Sequence, residues 1–273
     1  MRLLKQLVPV AVVAFAGGAV VGAVQGSPPL TLLLGLGTAA LALFVYARVV
    51  RWSERRAPAE VATRGAARAL ARGTLLGVAL FAAVVLNLAL VGGYRVDGPG
   101  SPAGAAGLFG FMAAAAVSEE LLFRGILFRI AEERMGTWLA LVLTGLLFGL
   151  SHVFNPHADL WGAIAVAIEA GGMLAAAYAA TRTLWVPIGV HFGWNFAAAG
   201  IFSAEVSGNG ATQGLLHGVT SGPALLTGGA FGPEASPYAV VAGLLLMAGF
   251  MWLARRRGTM VPFRRGTSAT LAR

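Results

Sequence analysis

The sequence predicts an all-α fold: a polytopic membrane helix bundle with about eight transmembrane helices. Three observations predict it. The 273 residues are 58% hydrophobic and only 11% charged. Apolar runs of about twenty residues, enough to cross the hydrocarbon core as a helix, recur along the chain. Lys and Arg fall almost entirely on one side of the bundle that those runs define.

The spans are expected at 7–24, 30–50, 74–94, 104–131, 137–154, 160–180, 184–203 and 237–254. In the first, Arg2 and Lys5 precede an apolar run ending at Gly26, a pattern that a signal peptide shares. The topology of the later spans is the same in either case. Between the second and third, Arg64, Arg68 and Arg72 stand at i, i+4 and i+8. They read as one stripe of an interfacial helix drawn to anionic lipid, or as a plain positive-inside anchor. The fourth span carries Glu119, Glu120 and Arg124, the fifth His152, the sixth Glu169, and the seventh His191 and Asn195. The connection 204–236 is rich in Gly and reads as flexible. His157 and His217 are expected in solvated positions.

With the N-terminus inside, only Arg95 of the 20 Lys and Arg residues falls outside. The reading is therefore a multi-pass protein of the cell inner or plasma membrane, with both termini cytoplasmic. This placement also accounts for the net charge of +9 without nucleic acid as a partner. One integral membrane domain is expected over 1–273. The absence of Cys excludes disulfides, thiolate metal sites and cysteine catalysis. No internal repeat speaks for an inverted-repeat transporter.

Ionisable residues inside spans are costly and mark function. From helix rise, Glu119, His152, His191 and Asn195 come to similar depth, roughly 10–22 Å above the inner boundary. Residues four apart share a helix face, and adjacent ones point about 100° apart. Glu120 and Arg124 can therefore pair, a pair that is structural, functional or both, while Glu119 points elsewhere and is expected to meet His152. His191 and Asn195 share a face, and Phe148 shares one with His152 as a wall that keeps the site dry. A carboxylate with an imidazole takes a proton from water, and a second imidazole with an amide stabilises an oxyanion. Ser118 and Ser151 are turned off the catalytic face. Glu119, His152 and His191 also form a Glu/His₂ set of the kind that binds zinc, so a metal remains an alternative to a cofactor-free site. The chain has no HExxH.

These residues resemble the CAAX protease and bacteriocin-processing (CPBP) family of intramembrane endopeptidases. Its pattern, EExxxR, FxxxH and HxxxN, stands here as Glu119 to Arg124, Phe148 to His152 and His191 to Asn195, in the family's order. Residues 104–203 look like the whole family core. The resemblance implies an eight-helix endopeptidase with its cavity open to the cytosolic side. By matching positions, Glu119 and His152 activate water, His191 and Asn195 form the oxyanion site, and Glu120 and Arg124 support the first glutamate. It leaves open whether the mechanism is glutamate-dependent or uses a metal. Prenylated CAAX proteins are not expected in the GC-rich bacterial genome that the Ala-, Gly- and Arg-rich composition suggests. The expected partner is therefore a membrane-associated protein or peptide substrate of other sequence. The rival readings are a non-catalytic scaffold or bacteriocin-immunity protein of the same fold, and a proton-coupled transporter.

Overall fold

In the computed structural model, which describes residues 1–210 and 213–263, helices dominate and all eight expected spans are helical. The first three are α1 (Arg2–Ala23), α2 (Pro28–Glu54) and α3 (Ala66–Leu90). Pro at the start of α2 fixes φ where its missing N–H costs nothing. Helix α4 (Pro102–Glu120), capped by the Ser101 side chain on Gly104 N, runs on through a π-helical stretch, Leu121–Phe128. It continues into α5 (Arg129–Ser151), which Gly136 breaks at φ 75° and ψ 168°. This left-handed residue turns one long apolar segment into a hairpin. Phe123 and Phe148, nearly equidistant from Gly136 in sequence, pack edge to face at 4.9 Å.

The second half follows the same plan. Helix α6 (Leu160–Val166) passes through a π-helical stretch, Ala167–Gly172, into α7 (Met173–Thr181). Helix α8 (Trp185–Asn195) continues as π-helix through Phe196–Ile201, and α10 (Pro237–Arg257) closes the bundle. Six helical segments among the described residues are long and apolar enough to cross a membrane. One of them, Pro102–Phe154, is the hairpin and holds two expected spans; α8 with its π-helical continuation is helical but is not among the six.

Small residues set the helix spacing, as expected of bundles in lipid. A Cβ on Gly77 of α3 would lie 2.2 Å from Val190 O of α8, and one on Gly149 of α5 2.3 Å from Ala163 O of α6. Substitution at either would push the paired helices apart.

Two sequence expectations are corrected. The Gly-rich connection is built rather than loose. Strand β1 (Tyr94–Pro99) pairs antiparallel with β2 (Leu216–Thr220), in register Tyr94 with Thr220, and a short helix α9 (Ala224–Thr227) follows. Tyr94 Oη donates to Phe202 O at 2.7 Å, tying the ribbon to the end of the α8 segment. Likewise, Arg64, Arg68 and Arg72 form no separate interfacial helix. Arg68 and Arg72 lie in the opening turns of α3 itself, and Arg64 precedes Gly65, whose φ of 76° starts that helix.

Candidate active site

The hairpin broken at Gly136 carries Glu119 at the end of one arm's α-helix and His152 just past the end of the other arm. Glu120 and Arg124 sit one turn apart on α4, where Arg124 donates to Glu120 Oε1 at 2.7 Å. Both are essentially without exposure. A buried charge pair persists only if its remaining donors are satisfied. The second guanidinium nitrogen of Arg124 donates to Ala170 O at 2.9 Å and Gly171 O at 3.1 Å. Those carbonyls lie in the π-helical stretch Ala167–Gly172, where the wider turn loosens the regular ladder. Arg124 also lies over the Phe148 ring, 4.5 Å from its centroid.

Two imidazoles complete the centre. His191 Nδ1 lies 2.9 Å from Glu120 Oε1, the oxygen that also accepts from Arg124. A carboxylate paired with guanidinium accepts only, so His191 Nδ1 carries a proton. Its Nε2 faces Glu119 Oε2 at 3.9 Å. His152 Nδ1 lies 2.8 Å from the Phe148 carbonyl, which likewise accepts only, so that nitrogen also donates. Phe148 is the common wall: its ring centroid is 4.8 Å from that of His152 and 6.0 Å from that of His191. Glu119 Oε2 is shielded and has no hydrogen-bond partner. The Glu119 side chain as a whole is 32% exposed. Asn195, one turn beyond His191, is 9% exposed.

The expected pairing of Glu119 with His152 is corrected. Within 4 Å the imidazole partner of Glu119 is His191, on α8. Besides sharing a face with Asn195, His191 is held by Glu120, a contact the spacing did not indicate. Glu120 and Arg124 pair as their spacing indicates. Among the described residues, no three His, Asp or Glu side chains are grouped to hold a metal ion. Glu119, His152 and His191 are thus not assembled as a ligand set, and no step is routed through a metal.

Phe111, Ala115, Glu119, Phe123 and Leu127 follow one another at i+4 along α4 and its π-helical continuation, each half-exposed. On the other faces of the segment, Leu121, Ile126 and Phe128 have no exposure.

Sequence reasoning missed three contributors. Glu234, in the Gly-rich connection, is 2% exposed and accepts from Trp194 Nε1 at 2.8 Å, and from the backbone and hydroxyl of Ser207, each at 2.6 Å. Trp194 precedes Asn195, so the connection grips the helix that carries two site residues. The Ala170 and Gly171 carbonyls are the second contributor, and the Gly171–Gly172 pair was their only trace. The third is the Phe148 ring as a seat for Arg124. Glu169, in the same π-helical stretch, has no exposure and no partner for either carboxyl oxygen, and it does not enter the centre. His157, expected to be solvated, is half-exposed and bound to Glu205 at 2.8 Å.

No curated protein and no solved structure matches the chain. A family model does: the one described as type II CAAX prenyl endopeptidase Rce1-like matches residues 101–197, which hold all three motifs. Over residues 101–197, the stretch that holds the paired glutamates, the arginine and both histidines, the chain is thus similar to that endopeptidase family.

Proposed function

We propose that the chain is an intramembrane endopeptidase that hydrolyses a peptide bond of a membrane-associated polypeptide by an activated water. The observation that carries this reading is the His191 ring held between the two glutamates, with Nδ1 2.9 Å from Glu120 Oε1 and Nε2 3.9 Å from a Glu119 oxygen that has no hydrogen-bond partner. The family match supports the same reaction class.

In this reading Glu119 takes the proton as water adds to the scissile carbonyl carbon, and His152, across the cleft, orients that water. The carbonyl oxygen becomes an oxyanion, to which the Asn195 carboxamide donates. His191, when protonated at Nε2, supplies the second donor. Collapse breaks the C–N bond, and the proton held by Glu119 passes to the leaving amine. One carboxyl and one amine result from one water. Glu120 and Arg124 do not touch the reacting atoms; they fix the tautomer and tilt of His191.

The test is incubation of purified detergent-solubilised protein with a peptide library, with and without chelator, beside Glu119→Ala. Cleavage that depends on Glu119 supports the reading. Undiminished cleavage in the variant contradicts it, and a cellular phenotype that survives without cleavage supports the scaffold reading instead. Loss of cleavage with chelator and recovery with zinc returns the metal.

A further inference from the structure

We infer that Tyr46 is a positioning residue of the centre, which fixes the helix of the two glutamates against the helix of His191. This rests on the peptidase reading above and deepens it, by giving a task to a span outside residues 101–197.

Glu120 and His191 lie on separate helices, so their 2.9 Å contact depends on how α4 and α8 are set against each other. Tyr46, on α2, reaches what holds each of them. It has no exposure. Its Oη lies 3.0 Å from Gly125 O, five residues past Glu120, and 2.6 Å from Glu60 Oε1. The Glu60 carbonyl accepts from Leu184 N at 2.8 Å, seven residues before His191. One hydroxyl proton, shared between two acceptors, thus links the glutamate helix to the start of α8.

The receiving end on the glutamate helix is shaped for this contact. The stretch Leu121–Phe128 is π-helical, and the Arg129 N–H, which an α-helix gives to Gly125 O, goes to Ile126 O. The Gly125 carbonyl takes side-chain donors, Tyr46 Oη and, at 2.8 Å, Arg129 Nε. Residue 125 has to be Gly for the ring to come this close, since a Cβ there would lie 2.9 Å from Tyr46 Cε2. Arg129 in turn reaches Glu54 and Gln6 at 3.0 and 2.8 Å, so α1 and α2 brace the same point. Fixing the widened turn fixes the direction of Glu120 and Arg124, as outer partners do for the groups they orient.

Removing the hydroxyl orphans no buried group. Gly125 O keeps Arg129 Nε, and Glu60 Oε1 keeps Arg56 at 3.0 Å. Tyr46→Phe therefore cuts the link while the ring still fills its place, and the variant is expected to fold.

The experiment compares the full chain with Tyr46→Phe and with Thr259→Val, whose lost hydroxyl donates to Ala179 O at 2.7 Å, on α7. Imidazole nitrogen NMR on isotope-labelled histidine reads His191, whose signals are identified by their loss in His191→Ala. Peptide cleavage gives kcat and KM. The expected result is that Tyr46→Phe shifts both His191 nitrogen signals and lowers kcat by about 10-fold or more, with KM within about twofold of wild type. Thr259→Val should change neither. Unshifted His191 signals in Tyr46→Phe overturn the inference, whatever its unfolding midpoint, and equal shifts in Thr259→Val do so too. An unchanged kcat, or a Tyr46→Phe chain that does not fold, also overturns it. A wild-type chain that cleaves nothing defeats the peptidase reading instead, and the NMR comparison, which needs no turnover, then decides the positioning role alone.

Discussion

His191 divides its ring nitrogens between two neighbouring glutamates, with Nδ1 2.9 Å from Glu120 Oε1 and Nε2 3.9 Å from Glu119 Oε2. Adjacent residues on a helix point about 100° apart, so one ring serves both only by lying across their helix. The two carboxylates thereby acquire different tasks. Glu120 is sealed between Arg124 and His191, and Glu119 is left without a partner at the cleft wall.

That division separates activity from stability. Glu119→Ala is expected to lower cleavage by at least about 10²-fold, the usual worth of a general base. The unfolding midpoint in detergent should stay close to wild type, because the side chain's one recorded polar contact, with His191 at 3.9 Å, is long and Glu119 is a third exposed. A large drop in the midpoint would show that Glu119 holds the fold.

Glu120→Ala should do the reverse first. It leaves Arg124 charged and buried with one partner fewer, and breaking such a pair costs about 3–5 kcal/mol. Denaturant or thermal unfolding of the purified variant measures this. A midpoint equal to that of wild type would mean that the Ala170 and Gly171 carbonyls hold Arg124 alone.

The fold was largely readable because hydropathy and the Lys and Arg distribution act on whole spans, and all eight spans are helices. The Glu120–Arg124 pair was readable too, since both residues sit on one helix and i, i+4 geometry is local. The partner of Glu119 was not. It depends on how α8 is set against α4, which residue spacing does not carry. The π-helical carbonyls that anchor Arg124 were equally hidden, because a widened turn leaves the apolar pattern almost unchanged. In the 204–236 connection, glycines announced turns correctly, but nothing local marked Glu234 as the acceptor for Trp194 and Ser207.

Glu234 gives a third expectation. Glu234→Ala removes the acceptor of Trp194 Nε1 and of both Ser207 donors. The α8 segment with His191 and Asn195 should loosen, lowering kcat more than it changes KM. Glu234→Gln keeps an oxygen acceptor for Trp194 and should recover most of the loss. Equal impairment of both variants would assign the carboxylate's charge, rather than the Trp194 contact, as the working feature.

Acid should unfold the basic end of the bundle through Glu60, which lies outside the spans. Burial pushes its carboxyl up, but hydrogen bonds from Arg56 and Tyr46 and the nearby Arg129 outweigh burial, and the net shift is downward. A depressed folded-state pKa contributes stability that is present above the unfolded pKa and lost as pH falls through the folded one. Unfolding midpoints should therefore decline from about pH 5 downward, and Glu60→Gln should flatten that decline. An unchanged decline would place the acid-sensitive group elsewhere.

The central claim is that Glu119 and His152 act on one water from the two arms of the hairpin. Its most direct test is a double-mutant cycle on peptide cleavage, with Glu119→Ala, His152→Ala and the pair. Groups that serve a single step are strongly non-additive, so the double variant should cleave no more slowly than the worse single one. Losses that multiply, or a Glu119→Ala variant as active as wild type, would contradict the account.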